Sequence, residues 1–272
     1  MNTRAIFAIV RKDLKVALQN KGVVIPIIIL PLILFVIFPW IMAYAPSWAN
    51  AAGTSLSNMD ELLARMPSGL LNELGAYTPD QQMIVFSLVY MLAPMFLIMP
   101  LMVSSVLAAD SFAGEKERKT LEALLYTPTT DRELFTAKLL GAWAAAIAIA
   151  LCSFVVYAVM VNAAGWHSIG HLFFPNWMWI ALVLWVTPAV AGLGLVVMVF
   201  VSARAQGFQD AYQTGGLVVL PVLALMIGQI SGVMYFSIGI VLLVGIVIWL
   251  LDLVLLWFAS QSFRRGELIT KF

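Results

Sequence analysis

Six stretches of this chain, 22–44, 83–109, 139–162, 177–201, 214–231 and 233–260, contain no charged side chain except Asp252. A helix needs roughly 20 apolar residues to cross the hydrocarbon of a bilayer, and each stretch is close to that length or above it. The last two require separation, because residues 215–251 contain no charge at all. A straight helix over 215–260 would be about 69 Å long at 1.5 Å per residue, more than twice the hydrocarbon thickness. The chain must therefore turn, and Gly228-Gln229-Ile230-Ser231-Gly232 is the place for it. Composition agrees: 62% of residues are hydrophobic and 11% charged, against about 45–50% and about 25% in soluble domains. The expected fold is an all-α integral membrane protein with six transmembrane helices.

Charge sets the orientation. The segments 1–21, 110–138, 202–213 and 261–272 hold fourteen of the fifteen Lys and Arg residues, and Arg65 alone falls on the other side. By the positive-inside rule both termini are cytoplasmic. Trp40, Trp48, Trp166, Trp177 and Trp257 fall near run ends, as an interfacial belt requires. Ala43-Tyr44-Ala45 mimics a signal-peptide cleavage site, but a long polar region containing Asp13 precedes the apolar run and Pro46 follows. The first run is therefore read as a retained helix. The single cysteine, Cys152, excludes an internal disulfide framework and reads as a small packing residue.

Residues 1–21 form an amphipathic interfacial helix. Phe7, Val10, Leu14 and Leu18 recur at helical spacing, with Arg4, Arg11, Lys12 and Lys15 around the rest, facing anionic lipid headgroups. The outer segment 45–78 contains two short amphipathic helices broken at Pro67. Thr78-Pro79-Asp80-Gln81 then reads as an N-cap, a first-turn proline and a capping glutamine, so the second span starts near 79. With capped entries included, the spans are 22–44, 79–109, 133–162, 177–201, 214–231 and 233–260, in one transmembrane domain over 1–272, with a tail at 261–272.

The loop 110–132 is too long for a passive connection. A mixed-charge block, Glu115-Lys116-Glu117-Arg118-Lys119, precedes a short helix that projects Leu121, Leu124 and Leu125 and stops at Pro128. Thr130-Asp131-Arg132-Glu133 is a capping box leading into the third span. An apolar knob on the cytoplasmic face fits a partner's groove or folds back on the chain's own cytoplasmic helices.

The run Gly114-Glu115-Lys116-Glu117-Arg118-Lys119-Thr120-Leu121-Glu122-Ala123-Leu124-Leu125 with Pro128, followed by Lys138, resembles the first cytoplasmic loop of permeases of type-2 ATP-binding-cassette (ABC) exporters. The layout of the whole chain is similar, down to the tail Phe263-Arg264-Arg265-Gly266-Glu267. The resemblance implies a permease in the plasma or inner membrane, as a homodimer or paired with a similar permease, bound to two separate ATPase subunits that hold ATP and Mg. It implies that the loop is a coupling helix, with Glu117, Arg118, Thr120, Leu121, Glu122, Leu124 and Leu125 as the ATPase contacts.

Absences in the sequence agree. No Gly-x-x-x-x-Gly-Lys-Ser/Thr run exists, and Gly192-Leu193-Gly194 lies inside a span without the strand–turn–helix context that cradles phosphate. The chain assigns itself no catalytic residue, no cofactor and no nucleic-acid partner. His167 and His171, four apart, could share a metal on a helix, but Gly165 and Gly170 argue against one there, so no metal is expected. An intramembrane enzyme would need paired polar groups at depth. A secondary transporter would commonly show internal repeats and midplane ion sites, which are not found.

The polar residues near or within the spans, Ser104, Ser105, Ser153, Asn162, Thr187 and Gln229, bound the lining of a route, and its apolar walls suit a lipid, drug or peptide cargo. Sodium export is the alternative within the same family. Asp252 is the one ionisable group within a span. A carboxylate facing lipid would cost on the order of 2.5–3.5 kcal/mol, so it faces protein or water, or holds a proton. Lys138 and Arg204 are its candidate partners, and its role is either structural or part of the route.

Overall fold

The structure, a computed structural model, describes residues 3–51, 71, 73–119, 130–231 and 235–262. Among these residues every regular element is helical. Six helices are long and apolar enough to cross a membrane: Lys21–Trp48, Pro79–Glu117, Glu133–Ile169, Trp177–Arg204, Phe208–Gln229 and Ile238–Ala259, called here the first to sixth spans. An N-terminal helix, Thr3–Gln19, precedes them. The helices read within 52–70, the coupling residues Thr120, Leu121, Glu122, Leu124 and Leu125, and the tail from Phe263 lie outside the described residues.

The second span is the buried centre of the bundle and packs chiefly on the fourth. The fifth and sixth spans leave most of their apolar surface outward, with Leu243, Ile246, Leu250 and Leu253 exposed. Lipid accepts such a surface, whereas water would not. Trp40, Trp48, Trp166, Trp177 and Trp257 are all exposed.

Three widened helical turns stand just before prolines: Leu32–Ile37 before Pro39, Phe86–Met91 before Pro94, and Leu182–Val186 before Pro188. Proline lacks an N–H and its ring crowds the carbonyl four residues back, so the helix widens to relieve both. The freed carbonyls still need donors, since each would cost several kcal/mol unmet in lipid. In the second span Leu88 O accepts from the Tyr157 hydroxyl (2.5 Å), Val89 O from the Trp179 indole (2.6 Å) and Tyr90 O from the Gln229 amide (2.6 Å). These donors come one each from the third, fourth and fifth spans. Phe35, Phe96, Phe154 and Phe174 pack around Tyr157 and Trp179 and close the same region to water.

Several polar residues expected to line a route are thereby occupied with backbone. Gln229 serves Tyr90, Thr187 donates to Leu182 O (3.2 Å) and Ser104 to Leu101 O (3.0 Å). Asn162 binds Ala158 O and Phe174 O through its amide nitrogen, and accepts from the N–H groups of Phe173 and Phe174.

Two local expectations are corrected. The third span stays helical through Gly165 and His167 to Ile169, and only Gly170, at φ 76°, ends it. Glycine in a helix costs only about 1 kcal/mol, and Gly165 makes room for the Phe173 ring, 2.6 Å from where a Cβ would stand. Cys152 lies on the exposed face of the third span rather than packed inside the chain. At Gly194 the fourth span meets the second so closely that a Cβ would fall 2.6 Å from Ser104 Oγ and 2.7 Å from Leu101 O. That glycine serves helix packing.

Candidate functional site

At the foot of the second and third spans three elements converge, and each brings charge. The N-terminal helix lies along the start of the third span because Gly141 has no side chain, and a Cβ there would stand 3.2 Å from Val10. Ala17 is buried in this contact, while Phe7 and Leu18 stay exposed. The helix ends at Asn20, whose side-chain oxygen accepts from Gly22 N–H (3.0 Å) and so caps the first span. The Asn20 amide nitrogen donates to Asp110 at the end of the second span (3.0 Å).

A fourth widened turn, Asp110–Gly114, ends the second span with no proline after it. Side chains take the freed carbonyls: Lys138 donates to Ser111 O (2.7 Å) and Arg118 to Asp110 O (3.2 Å). Arg118 also pairs with the Asp110 carboxylate at 3.0 Å. Gly114 lets that bridge close, since a Cβ there would lie 3.0 Å from Asp110 Oδ1.

Lys138 is sealed from solvent and uses all three of its donors. Besides Ser111 O they reach Ser111 Oγ (3.1 Å) and Glu115 Oε2 (2.5 Å). The Ser111 hydroxyl in turn donates a hydrogen bond to Asp13 Oδ2 (3.0 Å). The second oxygen of Glu115 pairs with Lys12, which also stands 3.1 Å from Asp13. Asp13, Asp110 and Glu115 thus balance Lys12, Arg118 and Lys138. Balance is what a buried ionic cluster requires, because an unpaired member would bear its full desolvation cost. For Lys12 burial opposes the charge, yet the hydrogen bond to Glu115 and the fields of Asp13 and Glu115 outweigh it and hold the ammonium above its ordinary value.

The stem that follows the widened turn, residues 115–118, reaches the connection between the fourth and fifth spans. Lys116 donates to Ala205 O (3.3 Å), and Glu117 accepts from Phe208 N–H (2.9 Å). The helix Phe208–Gly215 has no side-chain cap at its own N-cap, Gly207. Glu117 supplies a carboxylate to that end, where the helix dipole favours negative charge. The approach is close: a Cβ on Gly207 would fall 2.6 Å from Glu117 Oε2.

Of the seven residues read as ATPase contacts, Glu117 and Arg118 are described, and both are exposed while making these internal contacts. Sequence reasoning missed Lys12, Asp13, Asp110 and Glu115 as a unit. One signal was available, since Asp13 is the lone acid in an otherwise basic helix. Lys138 is not a partner of Asp252, because it is spent on Ser111 and Glu115, and Arg204 is exposed at its helix end. Asp252 is 2% exposed, and neither of its oxygens has a hydrogen-bond partner among the described residues. His171 stacks on Tyr77 while His167 is exposed. Among the described residues no three His, Cys, Asp or Glu side chains gather to hold a metal.

The cluster's capacity is mechanical: removing one member of a buried pair costs about 3–5 kcal/mol, so the stem, the N-terminal helix and the third span are held as one piece. A family model described as ABC-2 family transporter protein matches residues 7–244 of the chain. No curated protein and no solved structure matches it.

Proposed function

The chain belongs to the ABC-2 transporter family, and from that premise we propose that it is the membrane-spanning permease subunit of an ATP-driven exporter powered by separate ATPase subunits. Two permeases, identical or similar, pair in the cell membrane with two ATPases, which bind ATP and Mg. Both termini are cytoplasmic. The segment 120–129 docks in the ATPase through Leu121, Leu124 and Leu125, with Thr120, Glu122, Glu117 and Arg118 beside them.

The observation that supports this reading most is the double hold on Glu115 by Lys12 and Lys138. A push delivered at 120–129 enters the chain through the stem 115–118. From there rigid ion pairs pass it to the N-terminal helix and the third span, and Glu117 passes it to the helix entering the fifth span. A loop with no mechanical task would not need its root tied to three elements. The sparsely polar interior favours a hydrophobic or amphiphilic cargo such as a lipid, drug or peptide.

The test is hydrolysis by parts. The purified chain alone should hydrolyse no ATP, and co-expression with a candidate ATPase subunit should yield a complex that does. Saturable hydrolysis by the isolated chain would end the reading.

A further inference from the structure

The geometry points to Asp252 as a proton-binding site inside the membrane, closed between the fourth and sixth spans. Asp252 lies about 21 Å along the sixth span from Ile238 and about 10 Å from Ala259 at 1.5 Å per residue, so it stands well inside the span, in the half nearer its C-terminal end. Its side chain turns into the fourth span at Gly192, where a Cβ would fall 2.6 Å from Oδ2. Gly192 is therefore the recess that admits the carboxyl group.

Nothing described in that recess answers a negative charge. Neither oxygen has a donor. The helix packed against the sixth span is the fourth, which holds no charged or titratable side chain from Trp177 to Ala203. The sixth span itself has none besides Asp252 between Ile238 and Ser262. An ionised carboxylate sealed this way would meet the several-kcal/mol penalty of an unpaired buried charge. A metal ion would need several oxygens around it, and no second acid, histidine or cysteine cluster accompanies Asp252 among the described residues. A proton needs neither volume nor further ligands.

The carboxyl group holds its proton while the two spans are packed. When they part and water enters, the O–H bond breaks, the proton passes to water, and the carboxylate is left solvated. Repacking then requires a proton to return. This inference rests on the arrangement of the spans and not on ATPase docking, so the two stand or fall separately.

The experiment treats the full chain in native membranes with a membrane-soluble carbodiimide, which adds to protonated carboxyl groups in apolar surroundings, and with a water-soluble one. The adduct is located by peptide mass spectrometry. The expected result is modification of Asp252 by the membrane-soluble reagent at mildly acidic pH, fading as pH is raised, with little from the water-soluble reagent. Gly192→Ala fills the recess and should shift the reaction towards the water-soluble reagent. Asp252→Asn, a control that needs only to reach the membrane, should leave that peptide unmodified. Preferential reaction with the water-soluble reagent in the parent chain, or reaction with neither across the pH range, would overturn the proposal. The first means a solvated carboxylate and the second one already held by a partner.

Discussion

Glu115, at the end of the second span, and Lys138, one turn into the bundle on the third, meet at 2.5 Å with both side chains closed to solvent. Their contact joins residues on either side of the segment expected to dock the ATPase, so the loop's root is fixed. Lys12 reaches the same carboxylate from the N-terminal helix. A single glutamate thereby ties three elements at one end of the bundle.

Removing one partner from this cluster should cost more than removing two. Lys138→Met leaves Ser111 O without its donor and Glu115 with Lys12 alone, a loss on the order of 3–5 kcal/mol. Combining Lys138→Met with Glu115→Gln should recover part of it, because the orphaned charge goes too. Thermal unfolding of the detergent-solubilised variants reads the difference. A single variant as stable as the parent would show that the pair contributes nothing.

The hold on Lys12 has a definite pH signature. Its folded value lies above its ordinary one, so its contribution is complete below the unfolded lysine value of about 10.4 and is lost as pH rises through the folded value. Docking of the N-terminal helix should therefore be flat through neutrality and loosen only in strong alkali. The mobility of a spin label on exposed Leu18 reports it, and Lys12→Gln should remove the alkaline step attributable to this group. Loosening between neutral and mildly alkaline pH in the parent would contradict the assignment.

Glu117 and Gly207 should be coupled. Gly207→Ala drives a methyl group to within 2.6 Å of Glu117 Oε2 and should push the carboxylate off Phe208 N–H, at a cost of about 1 kcal/mol for the lost cap. Glu117→Ala should cost about as much alone, and the double variant should cost little more than either. Strict additivity in the double-mutant cycle would mean that the two residues do not meet.

Much of the fold is legible in the sequence because lipid imposes simple rules. Charge-free length identifies six helices, and the caps Thr78–Gln81 and Thr130–Glu133 start helices where their residues say they should. Long-range pairing is not legible. Lys12 and Glu115 are 103 residues apart, and no local pattern links them. Lys138 was visible at the head of the third span but not its partner, since any acid on the cytoplasmic side could have matched it. Gly192 and Gly194 looked alike in sequence, yet one admits Asp252 and the other lets Leu101 and Ser104 approach. Periodicity reports that a position is small and cannot say what fills the space. The widened turns were hidden too, because Pro39, Pro94 and Pro188 mark where carbonyls are freed but not that Tyr157, Trp179 and Gln229 receive them.

The central claim is that the segment 120–129 seats in a separate ATPase, and site-directed photo-crosslinking tests it most directly. A photoreactive residue replaces Leu124 in the full chain, co-expressed in its membrane with the candidate ATPase, and a second variant has it at exposed Leu172, just past the far end of the third span, as the control. Leu124→Asp, which sets an unpaired charge against an apolar groove at a cost of several kcal/mol, should release the ATPase from the complex while the chain still inserts. The account predicts a crosslink from position 124 to the nucleotide-hydrolysing subunit and none from position 172. Equal crosslinking from both positions, or an ATPase that co-purifies undiminished with the Leu124→Asp chain and crosslinks only elsewhere, would contradict it.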